Sequence, residues 1–301
     1  MKIVILLILS LHSLANIKTN IVSIEQGKSS SAVDVLVSWN GRVFEVSKNN
    51  QRILDLLEEA RISGLKVNLS IESGAQFDLL NNKEMITEVE LLSSNKNNKN
   101  ETEGTAVAEH PMVDFEPTVV ESSDRAKQIF KTLNSKTRRS SQCFNRAHIW
   151  SKSMWDNYKI KSMKIFIFYT KKFRDEVSDK WWFHVAPMIN VAGEMTVMDR
   201  EFTREPKTAD QWENIFTGKL NSPGYRCKKM DNISTYFDNE NYNNEFCNIQ
   251  YTSMYHWGPN DLQQAASESV IQTDWKDWKL KTASKQGFRK WRKVFEARKT
   301  K

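Results

Sequence analysis

The chain has 301 residues, 39% of them hydrophobic and 11% aromatic, with ten tryptophans. That is enough apolar mass for a packed core, and it excludes disorder throughout. The formal net charge of +7 names no partner by itself, so the position of the charge matters more than its sum.

Lys2, the apolar residues 3–14 (broken by Ser10, His12 and Ser13) and the small-residue site Ser13-Leu14-Ala15 read as a secretory leader of residues 1–15. The apolar run is too short to span a bilayer, and no later stretch could cross one. The mature protein is therefore expected to be soluble and secreted or periplasmic. Residues 16–31 are polar and unpatterned. Val33, Val35 and Val37 alternate with polar residues as in a strand. Asn40-Gly41 predicts a turn, and residues 43–46 the returning strand. Ile53, Leu54, Leu56, Leu57 and Ala60 give a helical face, with Asn49 and Asn50 as caps and Gly64 as the stop. Residues 65–71 alternate as another strand. This small α+β unit ends near Leu92.

Residues 93–104 contain Ser, Asn, Lys, Glu and Thr but almost nothing apolar, which predicts a flexible, cleavable linker. The organisation is that of a zymogen: residues 16–92 as a pro-region, 93–112 as the processing linker and 113–272 as the main domain. In that domain, Ser123-Asp124 predicts a helix cap before Ala126, Ile129, Phe130 and Leu133. Strands are expected over 164–170 and 181–191, a turn at 192–194, a return over 195–198 and a short helix over 210–216. Residues 248–257 are aromatic-rich and are expected to line a groove.

From 275 to 301 there are eleven Lys or Arg against Asp277 and Glu296, interleaved with Trp275, Trp278, Phe288, Trp291 and Phe295. The tail of residues 273–301 thus reads as a basic amphipathic helix. Its partner would be an anionic surface, unless it packs its aromatic stripe on the core.

Three cysteines in an exported chain suggest one pair and one free thiol. Cys227 and Cys247 flank a polar loop that a disulfide would close, which leaves Cys143. A thiol reacts as its thiolate, and a helix N-terminus favours that form. Cys143 stands at such a place. Ser140 and Ser141 offer caps, and Phe144, Ala147, Trp150 and Met154 recur behind it at helical spacing. The Cys143 backbone N–H then faces a developing oxyanion. Among five histidines, His12 lies in the leader, His110 near the linker, and His148 five residues along the Cys143 helix, pointing away. His256 stays open in its aromatic loop. His184, inside Trp181-Trp182-Phe183-His184-Val185-Ala186-Pro187, is the best base. The turn at Gly193 folds the next strand back and brings Asp199 opposite His184, within about one residue of register. Helix-Cys, strand-His, next-strand-Asp is a thiol triad in the order of papain and transglutaminase folds.

Cys143-Phe144-Asn145-Arg146-Ala147-His148 and Phe183-His184-Val185-Ala186-Pro187 resemble the protein-glutaminase family, secreted deamidases of protein-bound glutamine. The resemblance covers residues 123–257, and a weaker one over residues 35–92 is to the family's inhibitory pro-region. It implies an α+β fold with a papain/transglutaminase-like core, the catalytic Cys helix packed on an antiparallel sheet behind a small α+β pro-domain. It implies Cys143 as nucleophile, His184 as general base and acid, and Asp199 as orienter. Gln142 and the Cys143 N–H would hold the oxyanion, and Arg146 and His148 would support the helix. The substrates would be proteins or peptides with exposed glutamine, the other partner a processing protease, and the chain a monomer. No Cys/His cluster has zinc-ligand spacing, so no metal or other cofactor is expected. Arg200 stands where the family tends to have Pro, Gly41-Arg42 where a substrate-like Gln can stand, and the tail has no counterpart.

A transglutaminase would resolve the same thioester with a lysine amine, and a cysteine peptidase would attack a backbone amide. A binding module using the basic tail, with an unreactive Cys143, is the non-enzymatic rival.

Overall fold

The computed structural model describes residues 14–37, 41, 43–72, 84–92, 115–133, 143–177, 181–237, 244–254, 256, 258 and 259. Most of the leader, the linker of 93–112, Gln142, Ser140, Ser141 and the tail of 273–301 lie outside them. The chain divides into two compact units, Met1–Asn100 and Glu101–Lys301.

The first unit contains β1 (Leu14–Gln26), β2 (Ala32–Val37), β3 (Val43–Ser47), α1 (Gln51–Ser63), β4 (Lys66–Glu72) and β5 (Met85–Leu91). The described strands close a barrel in the order β1-β2-β3-β5-β4, so none of them presents an open sheet edge. Val35, Val37, Phe44, Val46, Val67, Leu69 and Ile71 fill it, with Ile53, Leu57 and Ala60 of α1 packed in. Helix α1 starts where Asn50 Oδ1 accepts from the Ile53 N–H at 3.4 Å. It stops at Gly64, whose φ of +67° is the left-handed region that glycine enters without steric cost.

Two strands depart from the sequence reading. The stretch 16–31, polar and unpatterned in sequence, carries most of β1. Its pairing with β2 shifts between Ile21 and Ser23, so an irregularity interrupts the alternation that marks a strand. β5 has no counterpart in the sequence reading: its exposed Glu88 and Glu90 flank the partly buried Val89. β1 begins at Leu14, paired with Glu72, so the last two residues of the expected leader belong to a strand.

The second unit contains β6 (Val119–Val120), α2 (Ser123–Thr132), α3 (Cys143–Tyr158), β7 (Met163–Tyr169), α4 (Lys171–Val177), β8 (Phe183–Val191), β9 (Glu194–Val197), β10 (Lys207–Thr208), α5 (Ala209–Thr217), β11 (Lys228–Lys229) and β12 (Cys247–Ser253). Its sheet runs β10-β9-β8-β7-β12-β11, with β6 added beside β8. One apolar layer joins Ile165, Ile167, Ala186, Met188, Val197 and Ile249 to Phe173 of α4 and to Trp212 and Phe216 of α5. Another joins Ile189 and Val191 to Ile129 and Phe130 of α2 and Trp150 and Met154 of α3. The mixed α+β class is as expected.

Residues 247–253 are an inner strand, β12, paired with β7 on one side and β11 on the other. The cap of α2 is Ser122, whose Oγ accepts from the Arg125 N–H at 3.2 Å, rather than Ser123. Helix α4 has no counterpart in the sequence reading, because seven residues with a single buried aromatic show little periodicity. Cys227 and Cys247 form the expected disulfide, with Cα atoms 4.8 Å apart. Among the described residues, no helix is long and apolar enough to cross a membrane.

Candidate active site

Cys143 opens α3. Its thiol is buried, and backbone N–H groups of Val185 and Phe144 reach the sulfur. Val185 follows His184 on β8, so the thiol lies beside the strand of the expected base. Burial pushes the Cys143 thiol from 9.0 up to about 11; the Arg146 charge and the two amides oppose this, and the Asp199 charge adds to it. The thiolate-favouring effect expected of a helix N-terminus is therefore outweighed by desolvation, because the anion loses most of its hydration in a closed site.

His184 is buried, and its Nε2 lies 2.8 Å from Asp199 Oδ2. That contact commits Nε2 to the carboxylate and leaves Nδ1 as the nitrogen that can exchange a proton with a thiol. Trp212 stacks on the imidazole at 5.8 Å between ring centroids, and Phe202 meets it edge-on at 4.9 Å.

Asp199 is not directly opposite His184. Met188 pairs with Val197, and the Met198 N–H donates to the Pro187 carbonyl. Continuing that register places Asp199 across from Ala186, two residues from His184. An offset of two keeps both side chains on one face of the sheet, which is why the pair still forms. The carboxylate also accepts from Trp212 Nε1 at 3.0 Å and from the Glu201 N–H at 3.0 Å. Burial works to raise its pKa. The charge and hydrogen bond of His184, the Arg146 charge and the Trp212 hydrogen bond outweigh that and hold it below the ordinary carboxylate value.

The turn that follows Asp199 is anchored on several sides. The Asp199 carbonyl accepts from the Thr203 N–H and hydroxyl. Arg200 donates to the Lys131 and Leu133 carbonyls at the end of α2 and lies over the Phe130 ring at 5.5 Å. Where the family tends to have Pro, Arg200 thus tethers the turn to α2. Glu201 forms an ion pair with Arg146.

Arg146 lies over the Trp150 ring at 5.7 Å. His148 Nδ1 lies 2.7 Å from Lys164 Nζ, which also donates to the His256 carbonyl. Both residues thus connect α3 to its surroundings. Gln142 lies outside the described residues. Sequence reasoning missed Trp212, Glu201 and Phe202: helical spacing marks Trp212 only as core, and nothing local ties the other two to Arg146 or His184. Among the described residues, no group of three or more His, Cys, Asp or Glu side chains is arranged to hold a metal ion.

Residues 124–216 match the family model described as Glutaminase. No curated protein matches the chain. In fold the chain is similar to a crystal structure of pro-protein-glutaminase, at 15% identity and a TM-score of 0.50, over 82% of this chain and 86% of that one. It is likewise similar to a mutant of pro-protein-glutaminase, at 14% identity and a TM-score of 0.51, over 90% of this chain and 99% of that one. These matches bear out the resemblance to the protein-glutaminase family read from the motifs at Cys143 and His184.

Proposed function

We propose that this chain hydrolyses the side-chain amide of glutamine in proteins or peptides, releasing ammonia and leaving glutamate. The observation that carries the reading is the buried His184–Asp199 pair at 2.8 Å, with the Cys143 thiol held beside the next residue on that strand. The glutaminase match over residues 124–216 selects deamidation among the reactions such a triad can perform.

In this reading the core is papain/transglutaminase-like. His184 Nδ1 takes the Cys143 proton, and the thiolate attacks the carboxamide carbon. The Cys143 N–H and Gln142 hold the oxyanion. His184 then protonates the departing ammonia, and water activated by His184 hydrolyses the thioester. Asp199 keeps the imidazole oriented and stabilises its charged form. No cofactor takes part.

In our proposal residues 1–15 are a leader that exports the chain, and residues 16–92 restrain the site. A protease cuts within 93–112, and residues 113–272 act as a monomer. The similarity in fold to pro-protein-glutaminases supports this order. The tail of 273–301 would meet an anionic surface.

The test is ammonia release from a glutamine peptide blocked at both ends, using protein trimmed near Pro111. The expected result is ammonia with the peptide backbone intact, and none from Cys143→Ala. Crosslinked product would point to a transglutaminase and a cut backbone to a peptidase. A folded, trimmed protein that does none of these would point to a binding module.

A further inference from the structure

The turn after Asp199 makes a second connection that the triad does not use. Glu201 lies two residues beyond Asp199, and its N–H donates to Asp199 Oδ1 at 3.0 Å. Its carboxylate pairs with Arg146. Arg146 lies three residues after Cys143 on α3, so the two share a helix face one turn apart. The Arg146 side chain is 3% exposed, and its guanidinium lies over the Trp150 ring. A cation held this way has little room to move toward water when its partner is removed.

We infer that Glu201 is a positioning residue that balances the Arg146 charge beside the Cys143 sulfur and so ties the nucleophile's reactivity to the turn that carries Asp199. The inference rests on the reading of Cys143 as nucleophile. Among the described residues, the charges that act most on the sulfur are Arg146 from α3 and Asp199 from the turn. Arg146 is in turn influenced by Asp199 and Cys143, and Asp199 by His184 of β8 and by Arg146. In this set Glu201 is the carboxylate paired directly with Arg146. Without its charge the cation is unbalanced and the thiolate is favoured. A more acidic thiol is also a weaker nucleophile once ionised, because nucleophilicity falls with pKa. Glu201 thus trades thiolate population against thiolate reactivity.

The experiment is the pH profile of Cys143 alkylation by iodoacetamide in the full chain. Cys227 and Cys247 are bridged, so Cys143 is the free thiol. The parent midpoint is expected at about 11. Glu201→Gln should lower it by about one pH unit and reduce the limiting rate at high pH by about threefold. Glu201→Asp keeps the charge at a longer reach and should lower the midpoint by less. A merely structural role would leave the midpoint alone. An unmoved or raised midpoint in Glu201→Gln overturns the inference; if that variant does not fold, an unmoved midpoint in Glu201→Asp does so. A folded parent whose Cys143 is alkylated at no pH, either as the full chain or after trimming near Pro111, removes the nucleophile reading, and this inference with it. A reactive parent with an unmoved Glu201→Gln midpoint removes this inference alone.

Discussion

At the scale of single residues, Asp199 can stay charged inside the protein because donors converge on it. His184, Trp212 and the Glu201 N–H all approach the carboxylate, and together with the Arg146 charge they offset the desolvation cost. Trp212 both stacks on His184 and donates to Asp199. Trp212→Phe keeps the ring and removes the N–H. A hydrogen bond to a charged group contributes roughly 1.5 kcal/mol or more, so kcat for ammonia release should fall about tenfold with KM little changed. The Asp199 carboxyl would rise once it loses a donor that favours its ionised form, so the acid limb of the kcat–pH profile should move to higher pH. A Trp212→Phe enzyme with parent kcat and an unmoved acid limb would show that the ring alone matters. Residue types and motif spacing led to Cys143, His184 and Asp199 as candidates, but gave no hint of Trp212 or Glu201, whose contacts depend on how distant segments meet.

At the scale of elements, the β8–β9 hairpin decides where Asp199 emerges. Ala192 and Gly193 at its turn both have positive φ, +49° and +97°, and such turns match the twist of the paired strands. Glycine at the second position is unstrained, whereas Ala192 adopts a conformation that costs an L side chain. Ala192 is also exposed, so its methyl contributes little packing. Ala192→Gly is expected to stabilise by about 0.5–1 kcal/mol, the relieved strain being partly offset by a more flexible unfolded chain. Denaturant unfolding measures this, and a loss of stability would mean that the turn is not strained. This hairpin was legible because its turn chemistry and strand alternation are local. The exact register was not, since it is set by continuous pairing back to Met188. β1 escaped for a similar reason: an irregularity in pairing breaks the pattern from which a strand is read.

At the scale of the whole molecule, the sheet of the second unit is held at β12 by a covalent bond as well as by packing. The Cys227–Cys247 bridge closes a segment with a sequence separation of 20, and the Cys227 N–H donates to Glu213 of α5 at 2.5 Å. Replacing both cysteines with Ser should cost roughly 3 kcal/mol by the chain-entropy relation. The measurement is chemical denaturation of the trimmed protein under oxidising conditions. Equal stability of variant and parent would mean that the unfolded chain gains little freedom when the bridge is lost.

The sequence by itself determined the mixed α+β class, the disulfide partners, the caps of α1 and the β8–β9 turn. It also yielded the resemblance to the protein-glutaminase family that the glutaminase match bears out. Each of these rests on signals acting within a few residues, or on cysteine arithmetic. Only the tertiary structure decided that β12 is an inner strand, that Asp199 meets His184 from two residues along, that Trp212 and Glu201 join the site and that burial outweighs the helix terminus at Cys143. These outcomes depend on register, on packing between distant segments and on the exclusion of water, and none of those is fixed by a short stretch of chain.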